Sequence, residues 1–270
     1  MAAPAHLARD LPPGAPEGPP PGGARAHLRW IAAGFDRRSA AAVLVALLTY
    51  SAIGWRWQHL INPRLGMDWL LAGIWVFMTL LLSWRLQLRA DLRLIFVGLC
   101  GGAVIEWWGT TTSLWWYFTK ERPPAWIVPA WPVAALTIHR MPALVGGFWP
   151  RLHRLGRAYW PLMIAFIAVM TRFLWPSIDL PASWVVVGLM VGVAAIGARP
   201  DRDVAIFLAG ALLGVFLEYW GTSRKCWTYY TREVPPVEAI LAHGFAAVAF
   251  ARADQVLEAL VRRAGGRAAG

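Results

Sequence analysis

The sequence predicts an all-α, polytopic integral membrane protein of about eight transmembrane helices, arranged as two tandem four-helix repeats. Three observations predict it: an apolar composition divided into spans, basic residues gathered in alternate loops, and an internal duplication. Of the 270 residues, 58% are hydrophobic, 18 are Trp and 15% are charged, against roughly 25% charged in a soluble domain. A helix crossing a hydrocarbon core of roughly 30 Å needs about 20 largely apolar residues, and eight stretches come close.

The first 24 residues, centred on LPPGAPEGPPPGG, are too rich in Pro and Gly to pack or to form the apolar region of a signal peptide. They predict a disordered tail, which with a basic flank makes up residues 1–38. The first unit, residues 39–150, holds spans near Ala40–Trp55, Met67–Trp84, Leu92–Trp108 and Ile127–Phe148. The second, residues 151–254, holds Tyr159–Trp175, Ala182–Ala198, Val204–Trp220 and Val237–Ala253, and a basic tail, 255–270, follows.

A net charge of +11 would suggest a nucleic-acid partner in a soluble protein. Here the basic residues lie between spans, where they set orientation. With the N-terminus inside, 18 of the 26 Lys and Arg face the cytoplasm, in groups before span 1 and around Arg85–Arg93, Arg140–Arg157, Arg199–Arg202 and from Arg252 onward. The opposite side holds eight: Arg56, Arg64, Lys120, Arg122, Arg172, Arg224, Lys225 and Arg232. The expected location is the cell membrane, multi-pass, with both termini cytoplasmic.

The duplication aligns Asp91–Pro124 with Asp203–Pro236 at an offset of 112 without a gap, and 13 of the 34 positions are identical. The matches include Gly98 with Gly210, Gly102 with Gly214, Glu106 with Glu218, Trp108 with Trp220, Gly109 with Gly221 and Thr110 with Thr222. Trp115 with Trp227, Tyr117 with Tyr229, Thr119 with Thr231, Glu121 with Glu233 and the Pro pairs follow. Trp69 and Gly73 against Trp184 and Gly188 extend the echo to spans 2 and 6. An even number of spans returns the chain to its starting side, so the halves are expected to be related by an axis along the membrane normal.

Glycines four apart, Gly98 and Gly102 or Gly210 and Gly214, lie on one helical face and suit a packing seam. Glu106 and Glu218 come just before the non-cytoplasmic ends of their spans. An ionisable residue at membrane depth is costly and is usually turned into the bundle. Either carboxyl is a candidate for chemistry, or it fixes its helix end by bonding a nearby Trp, Thr or backbone donor. Trp and Tyr gather at membrane interfaces without any ligand, but the repeated Trp-x-Tyr order also suits an apolar slot whose π faces stabilise a cation. Both readings stay open.

Asp91 and Asp203 open spans 3 and 7, where a carboxylate suits the positive end of a helix. His139, His153 and His243 show no metal-ligand spacing and no repeated partner, which reads as ordinary interfacial histidine. Glu238 aligns with Trp126, an asymmetry that would mark the active half if only one works. Cys100 and Cys226 give no reason to pair. No metal or redox motif, Ser-His-Asp set, P-loop or dinucleotide-binding glycine pattern is present.

At these residues the chain resembles membrane enzymes of carotenoid biosynthesis, the bacterioruberin-type carotenoid hydratases and, more distantly, the small lycopene cyclases. Glu106, Gly109, Tyr117 and the IVPAWPV segment Ile127–Val133 are similar to the hydratase pattern. Trp227, Tyr229 and PPVEA, Pro235–Ala239, are similar to the cyclase pattern, in which a second Glu stands where this chain has Ala239. The resemblance implies proton-initiated hydration or cyclisation of a membrane-embedded polyisoprenoid. Glu106 or Glu218 would be the proton donor. Trp108, Thr110, Trp115, Tyr117, Trp220, Thr222, Trp227, Tyr229 and Glu238 would contact the substrate, and no cofactor or metal is required. The alternatives are a non-enzymatic protein that binds or moves a lipid or assists membrane assembly, and a cation-coupled transporter, which the two membrane carboxylates would fit. Either way the expected partner is a membrane lipid or polyisoprenoid, not nucleic acid, with a second copy or another membrane protein left open.

Overall fold

The computed structural model describes residues 23–58, 62, 66–146, 148–149 and 152–268. Most of the tail expected to be disordered, together with Arg64, therefore lies outside the described residues, as does the side chain of His153.

The fold is helical. The elements are α1 (Gly23–Ala32), α2 (Arg37–Arg56), α3 (Gly66–Ser83), α4 (Leu88–Thr111), β1 (Trp115–Tyr117), α5 (Ala130–Gly146), α6 (Tyr159–Phe173), α7 (Pro181–Ala195), α8 (Pro200–Ser223), β2 (Trp227–Tyr229) and α9 (Val237–Ala268). Short 3-10 turns at Leu152–Ala158 and Trp175–Ser177 flank α6. Each expected span overlaps one helix from α2 to α9, with different bounds. Among the described residues four of these, α2, α3, α8 and α9, are long and apolar enough to cross a membrane, and α7 is a shorter apolar helix. This is compatible with an integral membrane protein. Helix α4 carries Arg89, Asp91, Arg93 and Glu106, while α5 and α6 have 17 and 15 residues.

The structure departs from the expected boundaries at both ends. The basic flank is partly helix α1, held to the body by His27 Nε2 against the Leu144 carbonyl (2.7 Å) and by the Trp84 indole donating to the Ile31 carbonyl (2.9 Å). The Arg85 guanidinium lies 4.4 Å over the Trp30 ring, a cation–π contact that sequence spacing does not announce. A capping box of Asp36 and Ser39 then starts α2. At the other end the expected tail continues α9 without a break to Ala268.

Helices α4, α5, α8 and α9 form the centre: α8 packs along α9, α4 along α5, and cross-contacts join α9 to α4 and α5 to α8. Residues such as Leu44, Val45 and Leu48 on α2, and Val185 and Leu189 on α7, point outward.

Helices α4 and α8 share their length and their ending. Each is 24 residues long, and their bounds differ by the 112 offset. Both stop in a left-handed residue, Ser113 (φ 59°) and Lys225 (φ 54°). The next N–H bonds back to a glycine carbonyl, Leu114 to Gly109 (3.0 Å) and Cys226 to Gly221 (2.8 Å), which is a Schellman termination. The chain is thereby turned into a three-residue strand.

These strands pair antiparallel, Trp115 opposite Tyr229, Trp116 opposite Thr228 and Tyr117 opposite Trp227. The bonds from Phe118 N–H to the Cys226 carbonyl (3.1 Å) and from Tyr230 N–H to the Leu114 carbonyl (3.0 Å) flank the pair. Exchanging the strands at the 112 offset leaves this register unchanged. Strand alternation buries Trp115 and Tyr117 on one face and leaves Trp116 40% exposed on the other.

Candidate functional site

The buried face of the ribbon meets the last turns of α4 and α8. Glu106 and Glu218 are each 3% exposed. Glu106 accepts from the Tyr117 hydroxyl (2.7 Å) and the Trp115 indole (3.1 Å) at Oε2, and from the Trp131 indole (3.0 Å) at Oε1. Glu218 accepts from the Trp227 indole (2.8 Å) at Oε2 and the Tyr229 hydroxyl (3.0 Å) at Oε1. His243 Nδ1 lies 3.6 Å from the same Oε1.

Small residues make this geometry attainable. At Gly109 and Gly221 a Cβ would overlap the Trp115 and Trp227 rings, so these glycines let each indole fold back over its own helix. One turn before each Glu, Gly102 and Gly214 accept the Trp131 ring and the His243 side chain against the helix. The glycine seam therefore does more than bring helices together: it delivers the third group of each cluster to its carboxylate.

Trp131 and His243 stand at equivalent places, 112 residues apart, and their rings stack at 5.7 Å with 14° between planes. The two clusters thus meet through these rings. Sequence reading missed Trp131 and took His243 for an interfacial residue without a counterpart. The structure corrects this: the counterpart is a tryptophan, and the imidazole faces Glu218.

Among the other expected site residues, the Thr110 and Thr222 hydroxyls bond the Glu106 and Glu218 carbonyls, both at 2.6 Å, and so serve the helix backbone rather than the carboxylates. Trp108 packs edge-on to Trp115 (5.8 Å) and Trp220 to Trp227 (6.4 Å), an outer aromatic layer on each side. Their indole N–H groups are buried without a protein partner. Glu238 is buried but turns to Arg172 (3.1 Å), one carboxylate oxygen staying unpartnered.

Asp91 and Asp203 receive the N–H groups of Gln87 (2.8 Å) and Arg199 (2.7 Å), as suits helix N-termini. Each also pairs with an arginine, Asp91 with Arg140 (2.8 Å) and Asp203 with Arg252 (2.6 Å). Both arginines were read as loop charges; they are buried helix residues. Arg252 further bonds the Tyr159 hydroxyl (2.8 Å) and the Ile196 carbonyl.

Chemically, the ribbon side of the centre holds two buried carboxyl groups, two phenols, three indole donors and one imidazole. Cys100 and Cys226 are free thiols, and no metal-binding group of His, Cys, Asp and Glu occurs among the described residues. No family model, curated protein or solved structure matches this chain.

Proposed function

We propose that the chain is an eight-span protein of the cell membrane with both termini cytoplasmic, built from two four-helix units about an axis along the membrane normal. It acts on a membrane-embedded polyisoprenoid by proton transfer from the carboxyl clusters beneath the ribbon. The observation that carries this reading is the convergence of Glu106 and Glu218, through stacked Trp131 and His243, within one aromatic enclosure. A carboxyl can deliver a proton to a double bond, and indole faces stabilise the cation that follows. The resemblance to carotenoid hydratases and cyclases supports the substrate class. In extracts of a deletion strain, mass spectrometry is expected to reveal an isoprenoid precursor accumulating and its hydrated or cyclised product missing. Unchanged lipids would refute the reading.

The full set of donors on Glu106 favours a second reading, in which the clusters clamp helix ends to the ribbon and the protein binds a lipid without transforming it. Under that reading Glu106→Gln and Glu218→Gln are tolerated and the lipid chemistry stays unaltered.

A further inference from the structure

We propose that Glu218 and His243 share one proton and that this pair supplies the proton consumed by the reaction, with Glu106 as its fixed counterpart. The proposal deepens the enzymatic reading above and rests on it.

Within a framework that matches at so many positions, the informative places are those where the chemistry differs. Around Glu106 the donors are two indoles and a phenol, none of which accepts a proton as a neutral base at ordinary pH. Around Glu218 one indole is replaced by imidazole, whose second ring nitrogen lets it accept as well as donate a proton. His243 Nδ1 lies between the Ala239 carbonyl (3.0 Å) and Glu218 Oε1 (3.6 Å). The proton that exchanges with Glu218 is therefore one on Nδ1, while Nε2 keeps its own N–H in either placement.

The groups facing this ring are Glu218 from α8, Tyr229 from β2 and, beyond the stacked Trp131, Glu106 from α4 with Tyr117 from β1. The two proton placements, neutral carboxyl with neutral imidazole or carboxylate with imidazolium, carry the same net charge. A proton can therefore move within the pair without changing the charge buried there, a freedom Glu106 lacks.

In the reaction the Glu218 O–H bond breaks, and the π electrons of a substrate double bond form the new C–H bond, leaving a cation on the adjacent carbon. In hydration, water forms a C–O bond to that carbon and returns a proton to the pair. In cyclisation, a second double bond attacks the cation, and the proton lost from a neighbouring carbon returns instead. Either way the pair is regenerated. His243 acts through Glu218 and is a positioning residue.

The test is a pH titration of the carboxyl infrared band in full-length protein in lipid nanodiscs without substrate, comparing wild type, Glu106→Gln, Glu218→Gln and His243→Gln. A titrating band is expected that Glu218→Gln removes, Glu106→Gln retains and His243→Gln shifts by about one pH unit or more. In cells, Glu218→Gln should lose about 100-fold or more of product formation, at least about tenfold more than Glu106→Gln. Should His243→Gln fail to fold, His243→Asn, which also lacks the titrating proton, takes its place. A band that titrates identically without the imidazole, or one removed by Glu106→Gln alone, overturns the proposal. Altered lipids in no strain would refute the enzymatic reading, and with it the proton's use, while the band still decides whether the pair shares a proton.

Discussion

Tyr117→Phe deletes one oxygen from the first carboxyl cluster and leaves the ring in place against Trp126 (5.3 Å) and Trp227 (6.1 Å). The hydroxyl makes the shortest of three bonds to Glu106, 2.7 Å. A hydrogen bond to a charged group contributes about 1.5–3 kcal/mol. Because Trp115 still donates to the same Oε2, that oxygen is not orphaned, and the cost should lie at the lower end, about 1.5 kcal/mol. In a Glu106→Leu background the hydroxyl is a buried donor without its acceptor, so its removal should be neutral or stabilising. Reversible unfolding in mixed micelles, followed by tryptophan fluorescence, completes the double-mutant cycle. A cost below about 0.5 kcal/mol, or the same cost in both backgrounds, would refute the clamp geometry.

The phenols of Tyr117 and Tyr229 are held well above their ordinary value of 10.0, first by burial and then by the neighbouring carboxyl groups. The unfolded chain therefore loses these protons first. Stability is full below about pH 10 and falls above it by up to ~1.4 kcal/mol per pH unit per tyrosine, and the Tyr117→Phe, Tyr229→Phe double variant should flatten this fall in alkaline unfolding curves. Burial pushes the Cys226 thiol up to about 11, so alkylation followed by mass spectrometry should accelerate about tenfold per pH unit between pH ~8 and ~10; a pH-independent rate contradicts the burial. Arg252→Met leaves Asp203 buried without its arginine and should cost about 3–5 kcal/mol, largely recovered by adding Asp203→Asn; a loss under ~1 kcal/mol in thermal melts would count against the ion pair. Impermeant thiol reagents should reach Lys120→Cys but not Arg263→Cys in intact cells, and the reverse pattern inverts the topology.

The carboxyl clusters were legible where the ligands lie close along the chain. Glu106, Trp115 and Tyr117 fall within 12 residues, in an order that recurs at Glu218, Trp227 and Tyr229. Trp131 and His243 were not, because the 25-residue separation of Trp131 from Glu106 is bridged by helix packing and because the two positions differ in residue type. Continuing the 112 offset past the paired prolines would have exposed the region through Ala130 with Ala242, Ala134 with Ala246, Ala135 with Ala247 and Arg140 with Arg252. The arginines were misplaced because the charge count credited every Lys and Arg to a loop, including Arg140 and Arg252, which lie within the expected spans, whereas a basic residue inside a helix can pair with a carboxylate on its neighbour. Helix α1 was hidden by the Pro-rich stretch before it, since its docking depends on Trp84 and Leu144, far along the chain.

The ribbon also has a consequence for synthesis. Strand β1 leaves the ribosome 112 residues ahead of its partner, roughly ten seconds at ordinary elongation rates. During that interval the first half carries an unpaired strand edge whose pairing surface is nearly its own complement. The register that joins Trp115 to Tyr229 and Tyr117 to Trp227 could equally join Trp115 to Tyr117 of another nascent chain. Crowding of nascent chains would thus favour intermolecular strand exchange. The second strand has to arrive and pair before a neighbour's does, and the length of the connecting segment sets that race.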